Sequence, residues 1–217
     1  MYRVGVIKDF DGKEVTFILN EEITFEELMK LQTGKLPTAE ITFHDQRRRS
    51  PEQNGKAHAL IGEIANWSGH NPQYVKDWLK YYFSVEQEIE GFSMSDIDMT
   101  TCRHFISYLI EFCFKWGVPF KTRALELTDD VSYYLYSCIK HRVCALCNRP
   151  KAEVHHVDAI GMGRDRRRYD HTKSRLIALC RNHHQEAHNS GWLVFSEKYH
   201  VVGIKLNYED AKAFNIQ

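Results

Sequence analysis

The sequence lacks an excess of either charge. Its 29 Lys and Arg stand against 29 Asp and Glu, so neither a uniformly basic nucleic-acid coat nor an acidic solvating chain fits. It has no uncharged run of about 18 residues, and so no membrane-spanning candidate and no expected membrane partner. Arg3, Lys8, Asp9, Asp11, Lys13 and Glu14 crowd the first stretch too densely for a secretory apolar segment, which gives the expectation of a cytoplasmic protein. Proline is scarce at 5 residues, and neither repeats nor low-complexity linkers occur, which excludes collagen-like and disordered chains. What is present is an ordinary globular balance: 43% hydrophobic residues over 217 positions, enough for one large domain or two small ones.

The neutral total hides an asymmetry. Residues 1–140 carry a net charge of −5 and residues 141–217 a net charge of +5. The basic third also holds eight of the twelve histidines, a density that neither a core nor a solvated surface requires.

Six cysteines form two sets. Cys102, Cys113 and Cys138 lie in helix-like stretches and read as small apolar core residues. Cys144 and Cys147 form a Cys-x-x-Cys pair, matched later by Cys180 and His183 as Cys-x-x-His. In a reducing compartment that spacing argues for a tetrahedral zinc site with Cys144, Cys147, Cys180 and His183 as ligands. Because protein would fill all four positions, the site would be structural.

The rest of the chain reads as α+β. Residues 2–7 and 14–19 alternate as strands around Asp11-Gly12, a hairpin signal. Thr24 and Glu27 form a capping box before a helix of about eight residues, and residues 39–43 return as a strand. Helical periodicity begins at Ser50-Pro51 with Ala57, Leu60, Ile61 and Ile64 on one face. Asn71-Pro72 opens a second helix that aligns Val75, Trp78, Leu79 and Tyr82. A third starts near Thr101, aligns Cys102, Phe105, Ile106, Leu109, Ile110 and Cys113, and ends at Gly117. A fourth spans about Asp129 to His141 and aligns Val131, Tyr134, Leu135, Cys138 and Ile139. We place a domain boundary near residue 128, giving domains 1–128 and 129–217.

Beyond the zinc ligands, His155, His156, His184 and His188 need an explanation. His184 and His188 are four residues apart and share a helix face, able to meet a group from the preceding hairpin. Val154 to Val157 reads as a strand, in which His155 and His156 point to opposite faces. One can face a metal and the other a substrate.

In this arrangement, from about Cys144 to Gly191, the sequence resembles the HNH endonucleases and their zinc-braced ββα-metal unit. The resemblance implies a DNA phosphodiesterase in which His156 is the general base. His155 and His184 are then ligands of a catalytic Mg²⁺ or Mn²⁺, and His188 is a third candidate ligand. A neutral imidazole can take a proton from water near pH 7, and a divalent ion with few protein ligands keeps positions open for phosphate oxygens. This chain departs from the family pattern at two places. The fourth zinc position, usually Cys, is His183, and the position of the usual middle Asn is Arg175. His171 or Asn182 is left to take the role of that Asn.

Between the two halves, Arg164, Arg166, Arg167 and Arg168 follow Gly161 and Gly163 and read as phosphate clamps, since Arg binds phosphate in a bidentate manner. Upstream, Gln46-Arg47-Arg48-Arg49-Ser50-Pro51-Glu52-Gln53-Asn54-Gly55-Lys56, with Asp77-Trp78 and Met99-Thr100-Thr101 further on, resembles the phage Orf (NinB-type) recombination mediators over roughly residues 40–128. That resemblance implies a homodimer that binds single-stranded or branched DNA and works with single-strand-binding protein and a phage recombinase in the host-cell cytoplasm. Arg47, Arg48, Arg49 and Lys56 are its candidate phosphate contacts. Trp67, Trp78, Tyr81 and Tyr82 are stacking candidates, although their alignment with the apolar helix face favours a core role. The combined expectation is a phage-type HNH endonuclease acting on recombination or replication intermediates. The alternative is a non-catalytic mediator whose zinc-bound unit only binds DNA.

Overall fold

The computed structural model describes residues 3–31, 38, 41, 45–158 and 170–216. All but residue 41 of the expected strand over residues 39–43, residue 2 of the first strand, and the clamp residues Arg164, Arg166, Arg167 and Arg168 lie outside the described residues. The chain divides into two compact units, 1–44 and 45–217.

In the first unit, β1 (Gly5–Phe10) and β2 (Val15–Leu19) pair antiparallel, with Gly5 opposite Leu19 and Phe10 opposite Val15. Gly12, with φ +100°, occupies the left-handed region that the turn requires. The first strand begins three residues later than its sequence pattern suggests and takes in Lys8 to Phe10. Helix α1 (Phe25–Met29) starts at the expected Thr24–Glu27 capping box but runs five residues, short of the eight expected. None of the described residues of this unit is buried.

The second unit is built on helices α2 (Pro51–Ser68), α3 (Pro72–Glu86) and α4 (Met99–Trp116). Ser50 caps α2 through a reciprocal capping box with Gln53, and Gly117 closes α4 in the left-handed conformation at φ 69°. Asp98 caps α4, so that helix starts two residues earlier than Thr101. The short α5 (Ala124–Leu127) leads into α6 (Val131–His141), capped by Asp130. Leu60, Leu79, Phe83, Phe105, Leu109, Leu135 and Ile139 form the centre of the core, and Cys102, Cys113 and Cys138 are buried within it.

Two alignments expected on buried faces are exposed instead. Val75, Leu79 and Phe83 carry the core stripe of α3 at four-residue spacing, and this turns Trp78 and Tyr82, each one residue earlier, toward solvent at 39% and 47% exposure. Val131, the first residue of α6, is also exposed.

Beyond α6, β3 (Glu153–His156) pairs antiparallel with β4 (Leu176–Leu179), His155 opposite Ile177 and His156 opposite Leu176. Helix α7 (Arg181–Ser190) follows directly, then α8 (Trp192–Tyr199) and α9 (Tyr208–Ala213). The fully buried β4 joins the same core as α6 and Phe195. Residue 128 therefore lies inside the second unit, with buried residues of one core on both sides of it. The architecture is mixed α/β with two small antiparallel sheets among the described residues. No described helix is long and apolar enough to cross a membrane.

Candidate functional site

Two clusters of metal-ligating side chains flank α7. The first joins Cys144, Cys147, Cys180 and His183. Cys144 and Cys147 come from a tight turn, where Cys144 N–H donates to the Arg149 carbonyl and Asn148 N–H donates to the Cys144 carbonyl. Asn148 takes φ 57° there, a conformation Asn tolerates better than most residues. Cys180 is the N-cap of α7, so His183 stands one turn along from it.

The distances test whether a metal fits. Cys147 Sγ lies 3.7 Å from Cys180 Sγ, and His183 Nδ1 lies 3.4 Å from Cys144 Sγ and 3.3 Å from Cys180 Sγ. A tetrahedral zinc with bonds of about 2.3 Å to sulfur and about 2.0 Å to nitrogen has ligand–ligand edges of roughly 3.5–3.8 Å. The cluster therefore has the size of a zinc tetrahedron, with His183 offering Nδ1 as a fourth possible ligand. Burial is the largest influence on Cys180 and opposes ionisation. The N–H groups of His183 and Asn182 and the neighbouring sulfurs together outweigh it and hold the thiol below its usual value. Burial pushes the Cys144 thiol up, so a thiolate there needs a cation beside it.

A buried network anchors the turn. Tyr134 OH donates to the Ala145 carbonyl at 2.8 Å, Asn148 Nδ2 donates to Tyr134 OH at 2.9 Å, and Asn148 Oδ1 accepts from Ala124 N–H at 3.0 Å. Two helices thus hold the knuckle in place.

The second cluster is His155, His184 and His188, whose ligating atoms all lie within 4.8 Å of one another. Strand alternation puts His155 on the face of β3 that meets α7, and the four-residue spacing of His184 and His188 presents both rings to it. His155 is 5% exposed, and its Nδ1 is buried without a hydrogen-bond partner. Burial, followed by the neighbouring His184 and His188, pulls its pKa down to about 4, so the ring is neutral and its lone pair is available at neutral pH. Three imidazoles, with no fourth protein ligand among the described residues, make a site with open positions, unlike the closed zinc set.

Two further residues shape this cluster without having been singled out by sequence. Glu153 Oε2 lies 2.5 Å from His184 Nδ1, which leaves Nε2 of that ring as the ligating atom. Trp192 stacks on His155 with ring centroids 5.8 Å apart. Glu153 is two residues before His155, so period-two alternation was the available signal.

His156 points the other way, into a groove of about 710 Å³. Its Nε2 lies 2.8 Å from Nδ1 of His171, a buried residue on a 3-10 turn capped by Asp170. Of the two residues left open for the middle position, His171 meets His156, whereas Asn182 lies beside Cys147, Cys180 and His183 with Arg123 and Tyr199. Arg175, at the sequence position of the usual Asn, forms a bidentate pair with Asp158, whose carboxyl it holds down at about 2.

The basic N-terminal candidates precede α2 or lie in its first turns. Residues 47–49 run beside 97–99, joined by Met99 N–H to the Arg47 carbonyl and Arg49 N–H to the Ile97 carbonyl. Arg47 and Arg48 have exposed side chains, 70% and 81%, with Arg47 paired to Asp45 and Arg48 3.8 Å from Asp96. Arg49 donates to the Met94 carbonyl. The Lys56 ammonium is held by Asp129 at 2.6 Å and Glu52 at 2.9 Å. Trp67, Trp78, Tyr81 and Tyr82 are all exposed.

Compared with known families, residues 21–217 match the model of the family described as Putative HNHc nuclease. No curated protein and no solved structure matches the chain.

Proposed function

The chain belongs to this HNHc nuclease family, and on that premise we propose that it is a metal-dependent DNA endonuclease with a structural zinc. The observation that carries the reading is the division of labour at β3. Adjacent histidines face two different environments, His155 a ligand cluster and His156 a solvent groove. Cys144, Cys147, Cys180 and His183 would hold zinc. His155, His184 and His188 would hold a divalent ion such as Mg²⁺ or Mn²⁺, which when bound would offset the charge that develops on the phosphate and the leaving 3′ oxygen.

The work of the protein groups follows. His156 takes a proton from the attacking water at its Nδ1, and for this its Nε2–H donates to His171 Nδ1, which fixes the orientation and tautomer of the base. His171 thereby stands in for the residue that the family places at Arg175. Glu153 orients His184.

The same reading assigns residues up to about 128 to DNA engagement and residues 129–217 to cleavage. Arg47 and Arg48 are its exposed phosphate contacts, with Arg49 and Lys56 occupied by protein groups, and Arg164, Arg166, Arg167 and Arg168 would clamp the strand near the centre. The exposed Trp67, Trp78, Tyr81 and Tyr82 favour a single-stranded or branched substrate, because bases can stack on accessible rings. A role in phage recombination, alongside a recombinase and single-strand-binding protein and as a homodimer, rests on the Orf resemblance. Cleavage of single-stranded, duplex and branched DNA with Mg²⁺, Mn²⁺ or EDTA tests the proposal. Metal-dependent cuts support it, whereas tight binding with no cuts under any metal leaves the non-catalytic mediator.

A further inference from the structure

The groove that receives His156 has an unusual rim. It is lined by Arg142, Lys151, Val154 and Ile216 among others, so two cations border it. Val143 bridges Pro150, and Ala152 N–H donates to the Arg142 carbonyl at 2.8 Å, so the backbone places Arg142 and Lys151 on the two sides of this isolated bridge. Neither side chain has a carboxylate partner among the described residues. Arg142 donates to the uncharged Phe214 carbonyl at 2.6 Å, and Lys151 makes no side-chain bond. Glu153 also borders the groove, but its carboxylate is engaged by His184 and lies 3.9 Å from Arg181.

The backbone supplies an independent sign. Arg142 and Lys151 both adopt left-handed conformations, φ 53° and φ 60°. Glycine is unstrained there and asparagine tolerates it, whereas a long side chain with a Cβ is disfavoured. Arg142 takes this conformation as the C-cap of α6, whereas Lys151 holds a cation where glycine would be less strained. A bound anion would account for that choice.

We propose that Arg142 and Lys151 form a second phosphate site. It takes a phosphodiester group of the substrate strand next to the group presented to His156, and so fixes which linkage meets the base. The inference rests on the nuclease reading, which supplies the nucleic-acid strand.

Lys151→Gly in the full chain is the test, because it removes the cation and relaxes the backbone, so a loss of function cannot be assigned to misfolding. We expect an unchanged or raised Tm, a KM raised severalfold at nearly constant kcat, and a salt dependence of DNA binding shallower by about 0.9 for duplex or 0.7 for single strands. A single neutral methylphosphonate placed along the strand should weaken binding by wild type at each of its phosphate contacts, and at one of these positions Lys151→Gly should be indifferent. Wild-type affinity and slope in the variant, or equal sensitivity of both proteins at every position, would overturn the site. Because binding needs no turnover, absence of cleavage by wild type would count against the nuclease reading alone, and the titration would still decide the groove.

Discussion

Glu153 Oε2 and His184 Nδ1 lie 2.5 Å apart, joining β3 to α7 at the point where three imidazoles converge. The contact engages Nδ1 and leaves Nε2 as the ligating atom. Removing the carboxylate charge weakens the contact that orients the ring. We expect Glu153→Gln to weaken binding of the divalent ion by about 10–100-fold without changing zinc content, measured by titration calorimetry with Mn²⁺. Unaltered Mn²⁺ affinity would remove Glu153 from the site.

The proposed zinc set makes a sharper demand on folding. Cys144→Ser replaces a thiolate with a poor ligand at the centre of the knuckle, and a structural zinc supplies much of the stability of its surroundings. One zinc per chain is expected by elemental analysis of wild type, with loss of that zinc and a lower Tm in the variant. A fully folded protein that contains no zinc would refute the assignment.

Tyr134 tests the packing under the knuckle. Tyr134→Phe leaves the Ala145 carbonyl and Asn148 Nδ2 without their partner in a buried setting. The expected cost is about 1–3 kcal/mol in denaturant unfolding. A change below about 0.5 kcal/mol would mean that the network contributes little.

Glu111 gives a pH dependence. Hydrogen bonding from His141 is the largest cause, with Lys140 and Tyr133 adding to it against burial, and together they hold its carboxyl at about 2, below the usual 4.5. A folded-state value below the unfolded one stabilises the protein above about pH 4.5, and that stability is lost as pH falls toward about 2. Wild type should therefore lose more stability than Glu111→Gln over this interval, by about 2 kcal/mol. Parallel stability profiles would contradict the assignment.

The features legible in sequence were those set by local spacing. The Ser50–Gln53 capping box, the Gly117 stop, the Cys-x-x-Cys and Cys-x-x-His pairs and the opposed faces of His155 and His156 each depend on a few neighbouring residues. What needed the tertiary structure was partner choice. His171 and Asn182 were equivalent in sequence, and chain folding alone brings His171 to His156. The pairing of Lys56 with Asp129, 73 positions away, likewise has no mark in the sequence. Trp78 and Tyr82 looked buried because a helical stripe leaves a rotation of one residue ambiguous, and the neighbouring Leu79 and Phe83 take the core.

The central claim is that adjacent histidines perform different work, and paired variants test it most directly. DNA cleavage is followed for His155→Ala and His156→Ala across a range of Mn²⁺ concentrations. His156→Ala should lose about 10²–10⁴ in rate at every concentration while binding metal and DNA as wild type does. His155→Ala should lose activity that excess Mn²⁺ partly restores. Full activity in both variants would contradict the account.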